Sequence, residues 1–196
     1  MEPGRLEAFT DGVVAIIITI MVLEIRVPHG TDLASLQADI PVLIAYVLSY
    51  VNVGIFWNNH HHMLHVTERV DGRVLWANLG LLFWLSLVPF VIRWIDESGL
   101  TPLPTAAYGV VLLCAGISYN ILQRTIIAVN GRDSRLAVAL GDDLKGNLSL
   151  ALYLSAIPLA FARPWIAILM YVTVAVMWLV PDTRIESLVK KMKESS

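Results

Sequence analysis

Charge is scarce in this sequence. Its 196 residues carry 14 Lys and Arg against 16 Asp and Glu, so charged residues make up 15%, where soluble domains carry about 25%. Hydrophobic residues reach 57%. Soluble enzyme domains and nucleic-acid-binding modules need more surface charge than this, so we expect neither a nucleic-acid partner nor a soluble substrate. The composition indicates an integral membrane protein whose surroundings are lipid.

Cysteine and several common motifs are also lacking. Cys114 is the single cysteine, which excludes an internal disulfide framework and any multi-cysteine metal site. The sequence holds no G-x-x-x-G pair, no low-complexity tract and no H-E-x-x-H motif. Acidic residues near the start (Glu2, Glu7 and Asp11) argue against a cleaved signal peptide. We therefore expect the first apolar segment to remain in the mature protein.

Six apolar segments lie between the charged residues. Because a spanning helix needs about 20 apolar residues, we predict an all-α membrane protein with six transmembrane helices in a single domain over residues 1–196. The approximate spans are 6–25, 39–62, 73–93, 102–125, 146–162 and 164–181. An apolar stripe beside three lysines predicts an amphipathic helix over 184–193, with a partly disordered tail as the alternative.

The basic residues are divided unevenly between the two sides. Eleven of the 14 Lys and Arg fall at the N-terminus, in the second-to-third loop, in the fourth-to-fifth loop and in the tail, and the other three are Arg26, Arg93 and Arg163. Loops rich in Lys and Arg stay in the cytosol. Both termini are therefore predicted to be cytosolic.

The first span is unusually polar for a membrane helix. Its ionisable and hydroxyl residues are Arg5, Glu7, Thr10, Asp11, Thr19 and Glu24. An Asp inside a span costs about 3 kcal/mol on insertion scales, and such groups usually face the interior of a bundle or a water-filled path. We expect this helix to be central and to be screened from lipid by the other five.

One face of the first span carries a mainly apolar stripe. It follows the i, i+4, i+7, i+8, i+11 spacing of a helix and consists of Gly12, Ile16, Thr19, Ile20 and Leu23. Such a stripe is either a packing seam or, in a symmetric oligomer, a pore wall with a hydrophobic constriction. Periodicity alone does not separate the two interpretations.

Six residues turn a helix by about 240° beyond a full circle, so Arg5 and Asp11 lie on different faces of the first helix. Each therefore needs its own partner. Candidate partners at the same depth are Trp57, Asn58, Asn59, His60, His61 and Asn78. The alternatives are that Arg5 extends to the lipid headgroups and that Asp11 caps a helix starting at Gly12.

A cluster of histidines follows Asn59. It comprises His60, His61, His62 and His65, and His61 and His65 have the i, i+4 spacing of metal ligands on one helical face. A metal centre needs a third ligand, for which the other spans offer no E-x-x-H motif. We expect no metal. The imidazoles are interpreted as hydrogen-bond partners of Asp11 and the headgroups, which would make the function sensitive to pH.

Two segments together resemble a known family. The first is Arg5-x-x-x-Phe9-Thr10-Asp11-Gly12-Val13 and its continuation to Glu24, and the second is Trp57-Asn58-Asn59-His60-His61. These, with Trp76-Ala77-Asn78 and Leu87-Val88-Pro89-Phe90 in the third span, resemble the transmembrane protein 175 potassium channels over roughly the first 95 residues. Thr10 stands where that family usually has serine.

The resemblance implies a potassium-selective cation channel without the T-V-G-Y-G filter loop, and no enzyme. A single six-helix repeat implies a homotetramer in a prokaryotic plasma membrane, with no cofactor and potassium as the permeant ion. Its pore-lining residues would be Ile16, Ile20 and Leu23, with Thr19 as a hydroxyl layer. Its polar network between helices would be Arg5, Thr10, Asp11, Trp57, Asn78 and either His60 or His61. A proton-coupled or cation secondary transporter is the alternative.

Overall fold

The computed structural model describes residues 2–25, 27–28, 30–140 and 143–179. Regular structure in these residues is entirely helical. The helices are α1 (Pro3–Leu23), α2 (Leu33–Ala38), α3 (Ile40–His65), α4 (Gly72–Ser86), α5 (Val88–Ser98), α6 (Pro102–Asn130), α7 (Arg135–Leu140), α8 (Leu144–Ala162) and α9 (Pro164–Leu179).

Five stretches of helix are long and apolar enough to cross a membrane. They are Pro3–Leu23, Val42–His65, Gly72–Ser98, Pro102–Asn130 and Leu144–Ala162, and α9 is a shorter apolar helix. The protein is therefore a multi-pass α-helical membrane protein. The tail predicted over 184–193 and the end of the predicted last span lie outside the described residues.

The third membrane stretch is broken, which the sequence pattern did not predict. Helix α4 ends at Ser86 and α5 begins at Val88. Pro89 has no N–H to donate to the carbonyl one turn earlier, so a regular helical bond is missing there. At the junction the N–H of Leu87 bonds to the Trp84 carbonyl, three residues earlier, at 3.2 Å, which is a tighter turn than that of an α-helix. The result is two helical segments that meet other helices separately.

Helix α6 is the hub of the subunit. It packs against α4, α5, α8 and α9, while α1 packs against α3, α4 and α5. The expectation that the other five spans screen the first one is wrong within a single subunit: α1 lies at the edge of the bundle. The buried side chains of α1 all lie on one face of the helix, and side chains on the opposite face are exposed.

Close packing between α6 and α9 depends on a missing side chain. A Cβ on Gly109 would collide with the hydroxyl and Cζ of Tyr171. That hydroxyl donates to the Thr105 carbonyl at 3.1 Å. A glycine in the interior of α6 therefore lets a buried tyrosine reach the backbone of the hub helix.

Candidate functional site

Helix α1 has two distinct faces. The residues that pack against α3, α4 and α5 are Leu6, Thr10, Val14, Ile17 and Met21, and all of them are buried. The opposite face carries the stripe identified in the sequence. Ile16 is 59% exposed, Ile20 is 40% exposed and Leu23 is 80% exposed. A single subunit thus leaves this apolar face open.

Thr19 places a hydroxyl in the middle of that open face. Its Oγ1 donates to the carbonyls of Ala15 at 3.1 Å and of Ile16 at 2.9 Å. Because the hydroxyl proton is used within the helix, the oxygen lone pairs remain available on the exposed side. The layer at Thr19 can accept a hydrogen bond or contact a cation, between apolar residues on either side.

A buried chain of hydrogen bonds links α3, α4 and α1. His60 Nε2 lies 2.8 Å from Asn78 Oδ1, and Asn78 Nδ2 donates to Thr10 Oγ1 at 2.9 Å. All three side chains are buried. Since the Asn78 amide nitrogen is the donor to Thr10, its oxygen must accept, so His60 carries its proton on Nε2.

The second nitrogen of His60 lies on the other side of the ring. His60 Nδ1 is buried and makes no hydrogen bond with any other described residue. In the tautomer set by Asn78 this atom is an acceptor.

Two further contacts join α1 to α3. Trp57 Nε1 donates to Asp11 Oδ1 at 2.8 Å, and His61 Nδ1 lies 2.5 Å from Glu7 Oε1. Glu7 and Asp11 are four residues apart, as are Trp57 and His61, so each pair shares one face of its helix. The two helices run antiparallel, which matches residue 7 with 61 and residue 11 with 57.

The imidazole of His61 is also held by aromatic contacts. It stacks on Trp57 and on His65, each at 6.2 Å between ring centroids, and meets His62 edge to face at 5.5 Å.

Sequence reasoning did not include Glu7 in the network. Its i, i+4 relation to Asp11 was the available signal.

Asp11 and Arg5 are the two remaining candidates from the sequence. Asp11 lies inside α1, which begins at Pro3, so the capping alternative is wrong. It hydrogen-bonds with Trp57 rather than with a histidine. The Arg5 side chain is exposed and makes no hydrogen bond or ion pair with other residues that the structure describes.

An ion pair stands at the opposite end of α1. Arg93 of α5 contacts Glu24 at 2.9 Å and Glu97 at 3.1 Å. The side chains of Arg93 and Glu97 are 57% and 44% exposed, so the pairs are screened by solvent. Together with the contacts of Glu7 and Asp11, this fixes α1 near both of its ends.

The described residues contain no group of three His, Cys, Asp or Glu side chains able to hold a metal ion. The cluster at His60, His61, His62 and His65 makes contacts with helices and rings instead. Of these histidines, His60 joins α3 to α4 and His61 joins α3 to α1, while the ring contacts of His61 with His62 and His65 lie within α3.

These features define a class of protein: a helical multi-pass membrane protein in which one helix with polar residues, α1, is bound to its neighbours on one face and exposed on the other. Residues 5–89 match the family described as Endosomal/lysosomal potassium channel TMEM175. A "Potassium channel" of a Chryseobacterium species is 49% identical over 195 residues, covering 100% of both chains. Another of Streptomyces collinus is 32% identical over 189 residues, covering 87% of this chain and 91% of its own.

A solved structure agrees with these relatives. The potassium-selective TMEM175 homologue of Chamaesiphon minutus superposes with a TM-score of 0.81 at 27% identity, covering 92% of this chain and 98% of that one. The chain belongs to the TMEM175 family. This is a family of ion channels, so the expected family and the expectation that the chain is not an enzyme are confirmed.

Proposed function

We propose that this protein is a potassium channel whose pore is lined by α1. Relatives that match nearly the whole chain are named potassium channels, and the similar structure is that of a potassium-selective channel. The observation that carries the proposal is the open face of α1, where the exposed side chains of Ile16, Ile20 and Leu23 lie along one line.

A symmetric assembly gives that face a partner. The single repeat of six spans predicted from the sequence supports a homotetramer, in which four copies of α1 would surround an axis. Ile16, Ile20 and Leu23 would then form successive rings of branched side chains, and a narrow ring of this kind gates by dewetting. The Thr19 oxygen supplies one polar layer between the rings of Ile16 and Leu23.

The polar contacts on the buried side of α1 set which residues face the axis. A rotation of α1 by one residue, about 100°, would break the bonds of Thr10 and Asp11 and turn Ile16 and Ile20 away from the open side. We therefore assign the network of Glu7, Thr10 and Asp11 a positioning role. The ion itself would meet only the opposite face.

The orientation follows from the basic residues. Eleven of the 14 Lys and Arg lie on the side of the N-terminus and the tail, which supports cytosolic termini. The bacterial relatives support a prokaryotic plasma membrane as the location. The contacts of Glu7 and Asp11 would then lie on the cytosolic side, and the ion pair of Glu24 with Arg93 on the outer side.

The test is cation flux from liposomes that contain purified protein, loaded with potassium or with sodium. We expect rapid, potassium-preferring flux in the wild type. Ile16→Asn should raise it, because a polar ring wets the constriction, and Leu23→Ala should change it as well. Ile121→Asn is the matched control, since Ile121 is 51% exposed on α6 and lies away from α1.

Three outcomes would contradict the proposal. Unchanged flux in Ile16→Asn would remove Ile16 from the narrowest point, and an equal increase in Ile121→Asn would point to a general leak. Flux that saturates with a co-transported ion, at the slow turnover of a cycling carrier, would favour a proton-coupled or cation secondary transporter.

A further inference from the structure

A cavity of about 60 Å³ lies within the subunit, between α3, α6, α8 and α9. Helix α1 contributes none of the described residues that line it. The α3 residues on its wall recur with helical spacing and are Asn52, Ile55, Phe56 and Asn59. Helix α3 thus presents Trp57 and His61 to α1 and a second polar face to this cavity.

The other walls are also built from regular helical faces. Helix α6 supplies Gly116, Tyr119 and Asn120, helix α8 supplies Gly146, Ser149, Leu150 and Tyr153, and helix α9 supplies Val174 and Trp178. Asp143, the N-cap of α8, also lines the space. Side chains facing inward from neighbouring helices are the usual way in which bundles build ligand sites.

Three side chains of the lining offer acceptor oxygens to the cavity, those of Asn52, Asn59 and Asp143. Asn52 Nδ2 donates to the Leu48 carbonyl at 3.0 Å, and Asn59 Nδ2 donates to the Ile55 carbonyl at 2.9 Å. Their amide oxygens remain for the cavity. The Asp143 carboxylate adds acceptor capacity beyond the one bond that it takes from the Gly146 N–H at 3.0 Å.

Two residues with hydroxyl groups on α8, Ser149 and Tyr153, also line the cavity. Ser149 donates to the Lys145 carbonyl at 2.7 Å and accepts from Trp178 Nε1 at 2.8 Å. The Tyr153 side chain is buried. A ligand that donates hydrogen bonds therefore suits the amide oxygens of Asn52 and Asn59 and the carboxylate of Asp143.

The apolar part of the lining also favours positive charge. Phe56, Tyr119 and Trp178 place aromatic rings around the space, and aromatic faces attract ammonium groups. The chain itself uses this attraction, because Lys145 Nζ lies 5.7 Å from the centre of the Trp178 ring. The lining combines acceptors, aromatic rings and the carboxylate of Asp143, with no Lys or Arg among its described residues.

We propose that this cavity binds a small primary alkylammonium ion. The N–H groups would donate to the amide oxygens of Asn52 and Asn59 and to Asp143, and the short alkyl body would lie against Ile55 and Leu150. A cavity of about 60 Å³ admits only a few non-hydrogen atoms. The site is separate from the face of α1, so it does not depend on the proposed pore.

The experiment measures binding of n-propylammonium to the purified full-length protein in detergent by calorimetry, together with the thermal unfolding midpoint. n-Propanol is the neutral ligand of matched size. We expect n-propylammonium to bind and to raise the midpoint, and n-propanol to do neither. Asp143→Asn should weaken binding about tenfold by removing a charge-assisted contact, although asparagine still caps a helix well.

Two more variants locate the site. Asn59→Leu removes an acceptor inside the cavity and should also weaken binding about tenfold, while Ile16→Asn on α1 should leave it unchanged. Equal binding of n-propanol, or absence of binding in folded wild-type protein, would overturn the proposal. So would a loss of binding in Ile16→Asn as large as that in Asp143→Asn, because the ligand would then sit at α1.

Discussion

Helices α1 and α6 are both long and apolar enough to cross a membrane, yet they are held in place by different kinds of contact. Helix α6 is surrounded by α4, α5, α8 and α9 and packs closely enough that Gly109 has no room for a Cβ beside Tyr171. Helix α1 is packed on one side only. On that side Thr10 accepts a hydrogen bond from Asn78, Asp11 accepts one from Trp57, and Glu7 contacts His61.

The difference shows what directional contacts do in a membrane protein. A helix packed against four neighbours, as α6 is, is placed largely by shape, since dispersion contacts act on several of its faces. A helix with an open face can rotate about its own axis unless something fixes that rotation. We propose that the hydrogen bonds at Thr10 and Asp11 do this for α1.

The largest effect on stability is expected at Asn78, because its side chain bonds to both His60 and Thr10. Asn78→Leu would leave His60 and Thr10 without their hydrogen bonds, and each stranded buried group costs about 1 to 3 kcal/mol. We expect a loss of about 2 to 5 kcal/mol in stability, measured as a lower unfolding midpoint in detergent. Leu79→Ala, at an exposed neighbouring position, is the control and should be close to neutral.

The hub helix offers the second test. Gly109→Ala should destabilise the protein by about 1 to 3 kcal/mol, as overpacking does, because the new methyl group meets buried Tyr171. Gly80→Ala is the matched control on α4, where a Cβ would meet nothing within 4 Å. It should be neutral or slightly stabilising, since alanine favours a helix. Equal midpoints for the two variants would refute the tight contact at Gly109.

Much of the α1 face was predictable from the sequence, and its neighbours were not. The 3.6-residue period placed Ile16, Ile20 and Leu23 on one stripe, and the structure leaves these residues exposed together. Periodicity does not say which side chain lies opposite, so Trp57 was one of six candidate partners for Asp11, and the role of Glu7 was missed. Both depend on the antiparallel register of α1 and α3, which is a tertiary property.

The hub position of α6 and the cavity beside α3 were not predicted for a related reason. Hydropathy identifies the membrane stretches without ordering them around a centre, so the polar first span was placed in the middle of the bundle. Asn59 was considered only as a candidate partner of Arg5 and Asp11, and Asn52 was not singled out. The face that Asn52 and Asn59 share becomes apparent when α8 and α9 close the other side.

Removing the Asp11 contact tests how much one hydrogen bond contributes to holding α1 at the edge of the bundle. Asp11→Ala removes the acceptor of Trp57 Nε1, and since Trp57 is 42% exposed, we expect a loss of only about 1 kcal/mol within the subunit. The larger consequence should be a lower yield of assembled oligomer on size-exclusion chromatography, because α1 is less well fixed. Normal oligomer yield with altered ion preference would assign Asp11 to the conduction path instead.

The smallest effect is expected at the surface end of α4, which separates helix capping from the buried contacts. The pKa of Asp71 is lowered, first by the hydrogen bond from the Val74 N–H at 3.1 Å and then by Arg73. A carboxylate with a lowered pKa stabilises the fold at pH values above its unfolded pKa, and this contribution disappears as the pH falls through the lower folded value. Stability should therefore decline slightly on acidification below about pH 4. Asp71→Asn keeps a capping acceptor and should remove this decline while leaving neutral-pH stability almost unchanged; an identical acid profile would show that the decline arises from another group.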